Sequence, residues 1–239
     1  PSWRLETDLL LSSSQLQLAS HAVPDVLTTA GGESYYGRFL QGGPRLTDRR
    51  ASLQHLTVAL KGETEGAEWV LEVGDGRQRV GNRDRNYFSR TAWEAALANG
   101  SLDPTSTAND EAEIEALRVR PERRGLSTLR FGNARVSGML AAQALPELRY
   151  ALGLSGWQEG LSDRPDVLTQ QGDVIGGIQQ SAVQASRRAA AVYAELSVPL
   201  SERLETQWAL RHDRYPTASS INFKKKNIFS PAPIGGFTS

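Results

Sequence analysis

Alternation of apolar and polar residues is the clearest pattern along this chain. From Leu204 to Asp213 one set of alternate positions is mainly apolar and the other is mainly polar, and Val192 to Val198 alternates in the same way. A short polar connection, residues 199–203, separates the two stretches. A period of two is typical of strands with one apolar and one polar face, so the pair is expected to form a β-hairpin.

The same alternation marks five other stretches of the chain. Strands are expected near residues 3–11, 53–61, 67–75, 127–141, 147–157, 188–199 and 203–214. Their spacing predicts an all-β fold in which neighbouring strands pair antiparallel in sequence order, as a meander.

The connections between these strands alternate in length. Long connections, near residues 20–51, 75–125 and 158–186, are separated by short turns. Soluble sandwiches rarely need a loop this long at every second connection. Transmembrane β-barrels do, with short turns on one side of the membrane and long loops on the other. The pattern therefore favours a partial segment of a large transmembrane β-barrel with long extracellular loops.

The second long connection has helix signals of its own. Ser89 is expected to cap a helix that carries Trp93 and ends at Asn99-Gly100, and Asp110 is expected to cap a shorter one. The favoured interpretation is packed loop structure, and a ligand role is the alternative.

The pattern changes after Tyr215. Residues 216–239 contain three consecutive lysines, Lys224 to Lys226, followed by prolines and glycines without sustained alternation. The chain is therefore divided into a barrel segment, 1–215, and an atypical tail, 216–239, expected to be disordered or foreign in origin.

Composition excludes several functions. The 27 basic and 27 acidic residues give a net charge of zero, which argues against a nucleic-acid binder that works through bulk positive charge. Cysteine is absent, and the three histidines are far apart in sequence. No nucleophile–base pattern is visible, so we expect neither an enzyme nor a bound cofactor or metal.

Four charged residues on the polar strand faces are the candidates for ligand contact: Arg149, Glu195, Arg211 and Asp213. The competing interpretation is a ladder of cross-strand charge pairs along a wet interior. Trp69, Tyr150 and Trp157 lie near strand ends, where a membrane barrel places its aromatic girdles.

Several segments resemble TonB-dependent outer-membrane receptors. The strongest is YAELSVPLSERLETQWALRHDRY, residues 193–215, which is similar to a barrel hairpin of that family. Residues 122–140 (ERRGLSTLRFGNARVSGML) and 162–177 (SDRPDVLTQQGDVIGG) match in order, as do NRDRNYF (82–88) with NGSLDPTS (99–106).

This resemblance implies a receptor in the outer membrane of a Gram-negative bacterium. Such receptors import a scarce solute, commonly a ferric siderophore, with energy delivered through TonB. The family barrel has about 22 strands around a plug, so seven strands are expected to be an internal piece of it. The partners implied are outer-membrane lipid, the solute and, through the plug domain, the TonB complex.

The alternative is a soluble or periplasmic β-sandwich binding module. The two hypotheses differ in the direction of sheet curvature. A barrel should turn Tyr193, Glu195, Gln207 and Arg211 to the concave side. It should turn the other set to lipid: Val192, Ala194, Leu196, Val198, Leu204, Trp208 and Leu210. A sandwich would bury the leucines on the concave side.

Overall fold

The computed structural model describes residues 2–28, 32–142, 145–201, 204–215 and 219–229. In chain order the elements are β1 (Ser2–Ser20), β2 (Pro24–Thr28), β3 (Ser34–Arg38), a 3-10 turn (Leu40–Gly42), β4 (Arg45–Thr64), β5 (Ala67–Arg85), β6 (Tyr87–Ser89), α1 (Arg90–Asn99), α2 (Glu111–Leu117), β7 (Arg118–Val119), β8 (Glu122–Ala142), β9 (Leu145–Pro165), α3 (Val167–Gln171), β10 (Val174–Ile175), β11 (Val183–Ser201), β12 (Leu204–Arg214) and β13 (Ser219–Phe229). None of the helices within these ranges is long and apolar enough to cross a membrane.

One large antiparallel sheet dominates the fold. Its strand order is β1-β4-β5-β8-β9-β11-β12-β13, so each long strand pairs with the next long strand along the chain. This confirms the all-β antiparallel meander, and the first seven of these strands are the seven expected from the alternation. β1 and β13 are the outermost strands of the described sheet.

Six of the long strands extend further than predicted. β1, β4, β5, β8, β9 and β11 each have 19–21 residues, and the additional residues lie mostly towards the long connections. In these additional residues the side chains on both faces are mainly polar. Backbone pairing therefore extends beyond the part of each strand that the alternation of hydrophobicity marks. The connections are correspondingly shorter than expected.

Part of the tail pairs with the sheet. Ser219–Phe229 forms β13, which pairs with the whole of β12. β12 presents a complete row of backbone donors and acceptors at the edge of the sheet, and such a row favours addition of a strand whatever its side-chain pattern. Residues 216–218 and 230–239 of the predicted tail lie outside the described residues.

Among the first seven strands of the sheet, the tight turns lie at one end and the long connections at the other. The turns β4–β5, β8–β9 and β11–β12 define the turn end. The connections 21–44, 86–121 and 166–182 define the loop end. This is the asymmetry that the sequence predicted.

The register separates the side chains of the sheet into two faces. Leu5, Leu60, Leu71, Ala134, Leu154 and Val192 are paired in succession across six strands. Directly paired residues point to the same side of a sheet. We call this side the apolar face, and its apolar residues near the turn end the apolar band. The opposite side is the polar face.

The long connections pack into a small cap at the loop end. β2 pairs with β3. β6 and β7, from the connection 86–121, form a three-stranded sheet with β10 from the connection 166–182. The buried core of the cap consists of Val23, Phe39, Phe88, Trp93, Ala96, Leu102, Ile114, Leu117 and Ile175. The loops therefore form one packed unit with its own core.

Both predicted helices are present in the cap. Ser89 Oγ accepts a hydrogen bond from the Ala92 amide at 3.1 Å, and Gly100 ends α1 in a left-handed conformation. Asp110 accepts from the Ala112 amide at 3.0 Å and caps α2. Capping side chains satisfy amides that the first turn leaves unpaired, which is why these starts were readable in the sequence.

Candidate functional site

A concavity of about 1340 Å³ opens on the polar face near the turn end. Its lining runs across seven strands, from Glu6 on β1 to Arg211 on β12. Residues so far apart along the sheet share one concavity because the sheet curves towards its polar face at this level. Tyr193 and Arg211 both line it, as the barrel hypothesis predicted.

Charged groups of both signs line this concavity and pair within and across strands. Glu6 contacts Lys61 Nζ at 2.6 Å and Arg4 Nε at 2.9 Å. Asn133 Nδ2 donates to Glu72 at 3.0 Å. These side chains are largely exposed, so each pair contributes little to stability. Together they form a polar surface whose hydrogen-bonding groups line the concavity.

Two of the predicted candidates bind each other. Arg211 donates from Nε to both Asp213 oxygens at 2.9 and 3.0 Å, and from Nη2 at 2.8 Å. Asp213 is buried, with 7% of its surface exposed, whereas half of the Arg211 side chain is exposed. Asp213 therefore positions Arg211, and only Arg211 presents a surface to a solute.

The other two candidates share a second, smaller recess. Arg149 and Glu195 line a recess of about 280 Å³ together with Ser197, Glu205 and Gln207. Glu195 pairs with Ala209, two residue pairs closer to the turn end than Tyr193 with Arg211. The four candidates thus form two groups, in neighbouring recesses of one face.

Aromatic rings on the polar face were missed as site residues. Phe131 lies beside Gly74, and Tyr193 lies beside Gly153, so close that a Cβ on either glycine would come within 2.3 Å of the ring. His55 stacks on Phe131 with ring centroids 6.1 Å apart. The signal was available, because Gly74 and Gly153 interrupt strands in which a side chain is otherwise favoured.

The predicted aromatic girdle needs one correction. Trp69 and Tyr150 lie on the apolar face near the turn end, where Trp69 pairs with Gly62 and Tyr150 with Gly138. Trp157 pairs with Phe131 and belongs to the polar face instead. It is seven residues from Tyr150 on an unbroken strand, and an odd spacing reverses the face. Trp3 and Trp208 join the apolar-face set by the same register.

Among the described residues, no group of three or more His, Asp or Glu side chains is arranged to hold a metal ion. No protein-family model matches the chain, and no curated protein matches its sequence.

Proposed function

We propose that this chain is part of the barrel of a TonB-dependent outer-membrane receptor, which imports a scarce solute, most simply a ferric siderophore. On this proposal the apolar band meets lipid, and the polar face lines the inside of the barrel. The cap at the loop end faces the cell exterior. The TonB complex acts on a plug inside the closed barrel.

The uncovered apolar band is the observation that carries this proposal. Trp3, Leu5, Leu71, Leu154 and Val192 are each 50–71% exposed, although they are paired in adjacent rows of one sheet. Soluble monomers rarely expose a contiguous apolar surface of this extent. Lipid acyl chains would remove this surface from water.

The dimensions of the band also support a spanning sheet. On β1 its residues run from Trp3 to Leu11, and on β11 from Ala190 to Leu200. These stretches of nine and eleven residues have the length that a tilted strand needs to cross the hydrocarbon layer. Trp3 and Trp69, which both pair with Gly62, lie in the part of the band nearest the turn end, as interfacial aromatics do.

The β-sandwich alternative needs a second sheet on the apolar face. In the ranges that the structure describes, the two smaller sheets are formed by the long connections and lie in the cap. The leucines of the band stay exposed, and the concavity near the turn end is on the charged side. Both observations favour the barrel in the turn half of the sheet, whereas in the loop half a recess that extends from β1 to β11 lies on the apolar face.

Tryptophan quenching by brominated lipid tests the proposal. Variants that retain one tryptophan, with Phe at the other four positions, are reconstituted in vesicles of phosphatidylcholine with brominated acyl chains. Trp208 should be strongly quenched, because it lies on the apolar face. Trp157, on the polar face, and Trp93, buried in the cap, are the matched controls and should be quenched little. Equal quenching of Trp208 and Trp157 would overturn the proposal.

A further inference from the structure

A basic recess occupies the loop half of the apolar face. Six arginines of this face line it, Arg50, Arg79, Arg83, Arg85, Arg124 and Arg164, against two carboxylates, Asp48 and Glu122. The recess has a volume of about 1120 Å³. The net charge of zero thus conceals a strongly positive surface.

Gly81 lies at the centre of this recess. Arg50 pairs with it from β4 and Arg124 from β8, while Arg79 and Arg83 lie two residues before and after it on β5. All four arginines therefore project from the same side of the sheet as the missing side chain of Gly81. A Cβ built on Gly81 meets nothing within 4 Å, so the space between them is open.

The arginines exceed the available carboxylates. Glu122 contacts both Arg83 and Arg124 at 3.0 Å, and Asp48 contacts Arg85 at 3.0 Å. Arg50, Arg79 and Arg164 make no ion pair within the described residues. Arg124 and Arg164 are paired directly across β8 and β9. Like charges in such positions destabilise a sheet, and a bound anion would remove the repulsion.

We propose that this recess binds phosphate groups on the headgroup of an anionic glycolipid in the leaflet around the barrel. The inference rests on the proposed function, which places the apolar face in lipid. Guanidinium groups bind phosphate oxygens in a bidentate manner, and the recess presents several of them around one open space.

The position of the recess selects an extended headgroup. Arg50 is six residues beyond Leu56, the last leucine of the band on β4, which corresponds to about 20 Å along the strand. With a tilt of about 40° this is roughly 15 Å beyond the hydrocarbon layer. A glycerophospholipid headgroup layer is only about 5–8 Å thick. A phosphorylated oligosaccharide headgroup reaches the recess.

The test measures binding of the full chain to vesicles of three compositions. These are phosphatidylcholine alone, phosphatidylcholine with phosphatidylglycerol, and phosphatidylcholine with phosphorylated rough lipopolysaccharide. Co-flotation with the neutral vesicles reports insertion through the apolar band. We expect the lipopolysaccharide vesicles to bind more tightly than the phosphatidylglycerol vesicles. Inorganic pyrophosphate, as a free source of the same chemistry, should compete only weakly.

Two variants separate a built recess from general positive charge. Arg50→Gln/Arg79→Gln removes two unpaired guanidiniums and should weaken binding to the lipopolysaccharide vesicles by roughly tenfold or more. Gly81→Val keeps every charge, suits a strand and fills the open space, so it should weaken the same binding. Arg49→Gln/Arg187→Gln, on the polar face, makes the same change in charge and should have little effect.

The outcomes distinguish the two proposals. Two results would overturn the proposed binding by the recess while insertion into neutral vesicles stays intact. One is an equal loss of binding to lipopolysaccharide vesicles in Arg50→Gln/Arg79→Gln and in the polar-face variant. The other is no loss of this binding in Gly81→Val. Complete competition by pyrophosphate would show that the recess binds a free anion. It would also overturn the proposal that the recess binds a lipid headgroup. A chain that fails to float with any vesicle would overturn the proposed function, and the lipid proposal with it.

Discussion

Paired aromatic and glycine residues shape the polar face at the scale of single side chains. The Tyr193 ring covers the backbone of Gly153, and the Phe131 ring covers that of Gly74. An aromatic ring beside a glycine restores the packing that the glycine lacks and helps to fix strand register. The Tyr193 ring lies against the strand backbone at the wall of the concavity, which leaves the centre of the concavity open.

A methyl group at Gly153 should therefore destabilise the sheet. Gly153→Ala places a Cβ against the Tyr193 ring and forces it to move, at a cost of about 1–3 kcal/mol in the free energy of unfolding. Gly156→Ala, three residues along the same strand, is the matched control because its nearest neighbour is a backbone oxygen at 3.9 Å. Urea unfolding of the reconstituted chain measures both, and an equal change would contradict the packing role of Tyr193.

Asp173 gives the cap a dependence on pH. Its carboxylate accepts hydrogen bonds from the Thr91 amide at 2.7 Å, the Thr91 hydroxyl at 2.8 Å and the Ser89 hydroxyl at 2.8 Å. The bond from the Thr91 amide is the main cause that holds the pKa of Asp173 below its usual range. A carboxyl with a lowered pKa in the folded state stabilises it above the unfolded pKa, about 3.9, and loses this effect as the pH falls through the folded pKa.

Hydrogen exchange measures this effect. The amides at the start of α1 should exchange faster, relative to their intrinsic rates, as the pH is lowered below about 4. Asp173→Asn keeps an acceptor without the titrating charge, so its protection should be lower at neutral pH and should change less on acidification. The same pH dependence in both proteins would show that another group controls the start of α1.

At the scale of elements, the sequence predicted the features that depend on neighbouring residues and missed those that depend on pairing between distant strands. The hairpin β11–β12 and helix α1 were predicted correctly, because alternation and capping residues are properties of a few neighbouring positions. The loop halves of the strands were missed, since arginine and glutamine occupy their apolar-face positions. β13 was missed because its pairing depends on the free edge of β12.

The candidate site shows the same division. The face on which Arg149, Glu195, Arg211 and Asp213 lie followed from strand parity alone. Their separation into two recesses depends on the curvature of the sheet, which no local pattern contains. The basic recess was missed because register across four strands brings together Arg50, Gly81, Arg124 and Arg164.

The cap should unfold separately from the sheet when its core is opened. Trp93 is buried in the cap and its ring packs edge-on against Phe39, with centroids 4.9 Å apart. Trp93→Ala should cost the cap about 3–5 kcal/mol, because a large cavity forms in a small core. Limited proteolysis should then cut within residues 86–121 while hydrogen exchange in β8 and β9 is unchanged. Glu94→Ala, exposed on the same helix, should remain resistant, and loss of strand protection in Trp93→Ala would show that cap and sheet unfold together.

At the scale of the whole molecule, the two faces of the sheet suit different surroundings. The apolar face carries a hydrophobic band and, beyond it, the basic recess, whereas the polar face carries the concavity with charges of both signs. A bilayer with an anionic surface satisfies the whole apolar face, since its hydrocarbon meets the band and its headgroups meet the arginines. Water solvates the charged groups of the polar face.

Arginine substitutions at adjacent residues of β9 test this division. Leu152 lies within the apolar band, paired with Val136 and Ala194, so Leu152→Arg should lower the free energy of unfolding in phosphatidylcholine vesicles by about 2–4 kcal/mol, the cost of an arginine at the bilayer midplane. Ala151 points to the opposite face and pairs with Glu195, so Ala151→Arg should cost much less. Unfolding by guanidinium chloride, followed by tryptophan fluorescence, measures the free energy of unfolding of both variants. If the apolar face met water, Leu152→Arg would leave the free energy of unfolding nearly unchanged. A decrease no larger than that caused by Ala151→Arg would show that Leu152 does not face lipid.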